Sequence, residues 1–273
     1  MRIALVDNGS VEPAAHEGLR SAARAIGARA NVRVEAVSWR HSDRIPGAAL
    51  KDGPAQTLSP WIRANVSAGE REFLIIPFFI SAQGAIGSSL TRDLDSLGLQ
   101  TGGFVYSVTD GLSSSGVLPR IISERVRAVI EAQGISRPAV IVADHGGPSS
   151  ASAEIRDRVA NEVRAELGST ARILGAASME SPVGPEYGFN KPLLEEALAL
   201  PGFDSGDVVI APLFLLPGRH AGKGGDLETI ARVAEARAPG LRCHFADLVG
   251  SHPLAIDTLA DALSRAIGAG IRS

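Results

Sequence analysis

Ala139-Val140-Ile141-Val142-Ala143-Asp144-His145-Gly146-Gly147 reads as a buried strand that stops at a sharp turn. Five apolar residues in a row suit a strand covered on both faces, as parallel sheets require, and the glycine pair permits the turn. A near copy, Arg2-Ile3-Ala4-Leu5-Val6-Asp7-Asn8-Gly9-Ser10, stands 137 residues earlier. Two further segments repeat in the same order. Ile75-Ile76-Pro77-Phe78-Phe79-Ile80 aligns with Ile210-Ala211-Pro212-Leu213-Phe214-Leu215 at an offset of 135. Val34-Glu35-Ala36-Val37-Ser38-Trp39 aligns with Leu174-Gly175-Ala176-Ala177-Ser178-Met179 at an offset of 140. Ordered matches at nearly one offset identify a tandem duplication with small loop insertions.

Working outward, short apolar runs bounded by turn residues predict strands at 2–7, 32–38, 73–78, 102–107, 138–143, 171–178, 207–213 and 241–246. Segments of helical period fall between them, for example 11–27, 116–133, 149–167 and 253–268. Strands that alternate with helices imply βαβ units and parallel sheets. The expected architecture is two tandemly duplicated three-layer α/β domains, residues 1–134 and 135–273, joined near Gly134–Pro138. Each half is long enough to bury its own core.

Composition narrows the function. With 45% hydrophobic and 21% charged residues the chain reads as globular, and its net charge of −3 gives no reason to expect nucleic acid. The longest apolar stretch, Val208 to Pro217, is about half a membrane span, so no membrane association is expected. The first apolar run is too short for a secretion signal, and the single cysteine, Cys243, suits a reducing compartment, so a cytoplasmic location is expected. The glycosylation patterns at Asn8 and Asn65 read as chance without such a signal.

The two halves differ where chemistry would sit. Asn8 aligns with His145, Arg40 with Glu180, and Ala85 with His220. All three pairs fall just past predicted strand C-termini, the edge where open α/β sheets hold ligands. Two imidazoles and a carboxylate make a ligand set for a divalent ion such as Co²⁺, Fe²⁺, Ni²⁺ or Zn²⁺. Of the other histidines, His16 and His41 read as solvated, His244 as packed on a strand, and His252 as beginning the last helix and lining the site.

Competing motifs fail. Gly218-Arg219-His220-Ala221-Gly222-Lys223-Gly224 is one residue short of a phosphate-binding P-loop and lacks the Ser or Thr after its lysine. No G-x-G-x-x-G follows a strand, no G-x-S-x-G elbow occurs, and Cys243 has no activating neighbours in sequence.

The motifs of the second half resemble those of the sirohydrochlorin cobaltochelatases (the CbiX/SirB type). Val142-Ala143-Asp144-His145-Gly146-Gly147 is similar to that family's strand followed by His-Gly-Ser, with Gly147 in place of the serine. Pro212-Leu213-Phe214-Leu215, Gly218-Arg219-His220 and Asp226-Leu227 resemble its second motif, although Asp226 stands further from the histidine here. Ala176 to Glu180 is similar to the segment with the acidic residue, and Asp247 to Pro253 to a late Leu-Gly-x-His-Pro motif. In two-domain members the active histidines are expected in the first half; here that half has lost them.

The resemblance implies a lyase that inserts a divalent metal, Co²⁺ foremost and Fe²⁺ or Ni²⁺ as alternatives, into sirohydrochlorin or a related tetrapyrrole of cobalamin or siroheme synthesis. It implies an active cleft between the two domains and no organic cofactor. His145 and His220 would act as metal ligands and proton acceptors, Glu180 as third ligand or relay, and Asp226 as the group orienting an imidazole. Arg219 and Lys223 would meet substrate carboxylates, with Gly146, Gly147 and His252 also lining the site; Arg40 would reach across from the first half. The rival readings are a non-catalytic tetrapyrrole or metal carrier and a chelatase for another metal. A monomer suffices, because the fused pair supplies both domains, and the oligomeric state stays open.

Overall fold

The computed structural model describes residues 1–80 and 85–270. Its strands are β1 (Arg2–Asp7), β2 (Glu35–Ser38), β3 (Glu72–Pro77), β4 (Val105–Val108), β5 (Ala139–Asp144), β6 (Ile173–Ser178), β7 (Gly206–Pro212) and β8 (Leu241–Phe245). Its helices are α1 (Pro13–Ala30), α2 (Leu58–Ser67), α3 (Ala85–Gln100), α4 (Leu118–Gln133), α5 (Ser150–Leu167), α6 (Leu194–Ala197), α7 (Asp226–Arg237) and α8 (Pro253–Ala269). None of the described helices is long and apolar enough to cross a membrane.

The strands form two parallel four-stranded sheets of identical order, β2-β1-β3-β4 and β6-β5-β7-β8. The registers also agree. Asp7 pairs with Ser38 as Asp144 pairs with Ser178, and Val6 pairs with Pro77 as Ala143 pairs with Pro212. The duplication read from the sequence is therefore present as two like α/β folds.

Strand β5 is buried along its whole length, as its unbroken apolar run requires. Ala139, Ile141 and Ala143 pack on one face with Leu194 and Ala197 of α6 and Leu227 and Ala231 of α7. Helix α5 packs against β5 and β6, and α4 against β7. In the first sheet Ala4, Val6 and Val37 pack with Leu58, Trp61 and Ile62 of α2 and with Leu90 and Leu94 of α3. Helix α1 packs against β1, β2 and α8.

The largest departures from the expected strand boundaries are at β2 and β4. Strand β2 begins at Glu35 rather than 32, and β4 spans Val105–Val108 rather than 102–107. Gly102 and Gly103 have φ of 83° and 92°, so the backbone there turns instead of extending.

The compact units also depart from the sequence boundary at 134/135. One unit is Met1–Ser115 with Gly250–Ser273, and the other is Gly116–Val249. Helix α4 thus belongs with the second sheet, and α8 with the first. Each helix ends a repeat in sequence but buries its apolar face in the other repeat's unit. In α8 that face includes Ala255, Ile256, Leu259 and Leu263.

Candidate functional site

Strand β5 delivers His145 one residue past its C-terminus, and β6 delivers Glu180 two residues past its own. The pairing runs on beyond the strands: Met179 N–H donates to Asp144 C=O at 2.8 Å and Glu180 N–H to His145 C=O at 3.1 Å. Glycine is required at 146. Its φ is +82°, and a Cβ there would lie 1.8 Å from the Glu180 carbonyl oxygen. The first unit repeats the arrangement, with Gly9 at φ +86° and a Cβ 1.7 Å from the Arg40 carbonyl oxygen.

His145 stands between Glu180 and His220. Its Nε2 lies 3.7 Å from Glu180 Oε1, and its ring centroid 4.6 Å from that of His220, with the planes at 88°. Phe214 lies 6.3 Å from His145, centroid to centroid. These contacts share His145. Among the described residues, no three His, Cys, Asp or Glu side chains form a group that could hold an ion between them.

Both imidazoles are held by Nδ1. That of His145 donates to the Gly146 carbonyl at 3.0 Å, since a carbonyl can only accept. His220 Nδ1 lies 2.7 Å from Asp226 Oδ2, at the start of α7. In each ring this leaves Nε2, an arrangement that fixes orientation and basicity in metal-binding histidines. His220 itself sits in a wrapped loop: Gly218 N–H donates to Ala221 C=O at 2.7 Å, and Leu227 N–H to His220 C=O at 3.1 Å. Gly222 and Gly224, with φ of +122° and +77°, make the wrap possible.

Arg219 is exposed, its Nε 3.9 Å from Asp226 Oδ2, and Lys223 is exposed on the same loop. Gly147 is tied to Asn190, whose Oδ1 accepts from Gly147 N–H at 3.3 Å and whose Nδ2 donates to Gly147 C=O at 2.9 Å. His252 belongs to the other compact unit, where its Nδ1 accepts from Leu254 N–H at 3.2 Å and caps α8. Arg40 is engaged within its own unit, 2.9 Å from Asp93 and over the Trp39 ring at 4.3 Å. Ala85 opens α3, and its side chain lies outside the described part of the structure.

Beneath the site lies a buried polar cluster for which the sequence reading had no signal. Arg156 of α5 is 2% exposed; its Nη1 donates to Ser178 Oγ at 2.5 Å and its Nη2 to Phe189 C=O at 3.0 Å. Ser178 Oγ donates to Asp144 Oδ1 at 2.6 Å, and Arg156 lies 3.6 Å from the same oxygen. Burial pushes the Asp144 carboxyl up, while Ser178 and Arg156 pull against it. In the first unit the histidine expected to be solvated, His16, takes the arginine's part. It is 1% exposed because α1 turns it inward toward Ser38, its Nδ1 3.4 Å from Ser38 Oγ.

His244, by contrast, is half-buried on β8, its Nε2 2.9 Å from Asp207, whose carboxyl Arg242 and His244 hold at about 2. Burial pushes the Cys243 thiol up to about 12, which suits a packed rather than a reactive cysteine.

The CbiX family model matches residues 140–266, the segment that carries every residue of this cluster. No curated protein matches the chain. Among solved structures, SirB from Bacillus subtilis with Fe³⁺ is similar at 14% identity, with a TM-score of 0.65 over 96% of this chain and 94% of that one. The CbiX described as the terminal enzyme for siroheme biosynthesis in denitrifying bacteria is similar at 19% identity, with a TM-score of 0.64 over 97% of this chain and 99% of that one. SirB from Bacillus subtilis subspecies spizizenii in complex with cobalt is similar at 14% identity, with a TM-score of 0.61 over 96% and 94%. At such identities the likeness is one of fold, and it spans both units.

Proposed function

Because this chain belongs to the CbiX/SirB-type chelatase family through residues 140–266, we propose that it inserts a divalent metal into a tetrapyrrole at the C-terminal edge of its second sheet. The observation that carries the reading is the facing pair His145 and His220, 4.6 Å apart, each held by Nδ1 with Glu180 alongside. The similar structures, SirB with Fe³⁺ and the sirohydrochlorin chelatase SirB in complex with cobalt, support the reaction class.

Insertion exchanges two pyrrole N–H protons for one M²⁺, so the site must present the ion, let it go and accept protons. Neutral imidazole does all of this near neutrality. His145 and His220 bind the ion through Nε2 and take up the protons as it leaves. Glu180, 3.7 Å from His145 Nε2, takes a proton on from that ring. Asp226 holds the His220 ring. Arg219 and Lys223, exposed on the His220 loop, meet the carboxylates of the macrocycle. Nitrogen and oxygen donors of this kind suit Co²⁺, Fe²⁺ and Ni²⁺ alike; Co²⁺ is the proposed ion and sirohydrochlorin the proposed acceptor.

The test mixes purified protein with sirohydrochlorin and Co²⁺ and follows the absorption change of the macrocycle. Formation of cobalt-sirohydrochlorin well above the uncatalysed rate is expected. Tight binding of both without product would make the protein a carrier, and faster turnover with Fe²⁺ or Ni²⁺ would change the metal.

A further inference from the structure

The His145-Gly146-Gly147 segment has a backbone with little stiffness of its own. Gly146 and Gly147 have φ of +82° and +147°, and nothing lies within 4 Å of where a Gly147 Cβ would be. An imidazole on such a segment keeps one orientation only if another group holds the backbone. Asn190, 1% exposed, is placed to do this. Its amide grips Gly147 by both backbone groups, as described above. The same Nδ2 donates to Ser181 Oγ at 3.2 Å, next to Glu180. One buried side chain therefore joins the turn after the histidine to the turn after the carboxylate. Both of its donor hydrogens and its acceptor are used, as a buried amide requires. Arg156 fixes the residue before it through the Phe189 carbonyl.

The first unit shows which part of this is a general device of the fold. There Ser42 holds the matching turn: its Oγ accepts from Ser10 N–H at 3.2 Å and lies 3.0 Å from Ser10 C=O. That grip comes from four residues past Ser38, whereas Asn190 comes from twelve past Ser178, further along the corresponding loop. The bond to the residue following the acid is found where the acid is.

We propose that Asn190 is a positioning residue, which sets the His145 ring against Glu180 by tying Gly147 to Ser181. The inference rests on the chelatase reading for its purpose but not for its geometry. In metal-free protein, nitrogen-15 NMR of the His145 ring should show Nδ1 protonated, because Nδ1 donates to Gly146 C=O. Asn190→Ala should let the turn relax and move the ring toward the Nε2-protonated form that a free imidazole favours. Titrated with Co²⁺ alone, the same variant should bind roughly 10- to 100-fold more weakly, with a changed visible cobalt spectrum. With sirohydrochlorin, kcat should fall while KM holds. Asn190→Asp keeps the acceptor for Gly147 N–H and should fall between. Ser181→Ala, at a half-buried position that the fold can spare, should weaken Co²⁺ binding by a smaller factor even if Asn190→Ala fails to fold. Unchanged His145 tautomer and Co²⁺ affinity in Asn190→Asp and Ser181→Ala would overturn the assignment. If the wild-type protein bound no Co²⁺, the chelatase reading would fall, and the tautomer shift alone would decide the positioning role.

Discussion

The corner under β1 and the corner under β5 share one backbone and solve the same electrostatic problem differently. Each sets a buried aspartate at the end of the central strand, paired in register with a buried serine, Asp7 with Ser38 and Asp144 with Ser178. In the second unit the Arg156 guanidinium reaches that serine and lies within 3.6 Å of the carboxylate. In the first, His16 reaches Ser38, while Asp7 Oδ1 and His16 Nε2 have no partner among the described residues. Burial pushes the Asp7 carboxyl up to about 6 and holds the His16 imidazole down at about 4. One corner is a compensated ion pair; in the other, burial disfavours the charged form of both groups. The compensated corner is the one beneath the histidine cluster. The difference teaches that duplication preserved the register, while the side chains beneath each turn diverged along with the residues above it.

The comparison can be broken most severely through the exchanged helices. Deleting residues 250–273 removes α8, whose Ile256, Leu259 and Leu263 are buried in the first unit. The first unit should then lose its cooperative unfolding transition, whereas the second, which keeps α4, should retain one. Calorimetry of the truncated chain would show one transition; two intact ones would mean that α8 is dispensable.

Chemistry separates the halves next. His145→Ala and His220→Ala should each lower chelation by roughly 10²- to 10⁴-fold, the usual worth of a proton-transferring group, with the fold kept. His41→Ala, on an exposed residue, should leave activity intact. Adding Asn8→His and Ala85→His to the inactive double variant should restore nothing, because Arg40 still puts a cation where the working site has Glu180. Recovery of turnover would show that the first half lacks only its imidazoles.

The two corners should then respond unequally to losing their α-helical partner. Arg156→Ala leaves Asp144 buried without its cation and should cost about 3–5 kcal/mol in chemical denaturation. His16→Ala removes no charge and should cost less, about 1–3 kcal/mol from lost packing and the cavity left behind. Equal losses would deny that the corners differ in kind.

The smallest effect has the sharpest sign. Asp7 has its folded pKa raised from 3.8 to about 6, so its contribution is fully present below 3.8 and lost as pH rises through 6. Asp7→Asn should therefore stabilise the protein at pH 7 by at most about 3 kcal/mol, and the gain should vanish below pH 4. His16 runs the other way: its folded pKa is lowered from 6.5 to about 4, so its contribution is present above 6.5 and lost as pH falls through 4. Stability of the Asp7→Asn variant should then decline from pH 6.5 toward 4 without the opposing rise. Asp144→Asn should destabilise at pH 7, since Arg156 keeps Asp157 but loses its buried counter-charge. The same substitution with the same sign in both halves would erase the contrast.

By itself the sequence determined the duplication, the parallel strands, and the placing of His145, Glu180 and His220 beyond strand ends. Those features are local. An apolar run of five residues must be covered on both faces, and a constant offset between repeats needs no geometry to be seen. The Asp226 partner of His220 was also legible, standing six residues on, at the start of the next helix. Only the tertiary structure decided the rest. His16 shares a helix face with Leu19, Ala23 and Ile26, but that it meets Ser38, 22 residues on, is settled only by packing. Asn190 meets Gly147 across 43 residues, and Arg156 meets Phe189 across 33, distances at which no periodicity speaks. The exchange of α4 and α8 is of the same kind. An amphipathic helix states in its sequence that one face must be buried, and only the packed chain decides against which sheet.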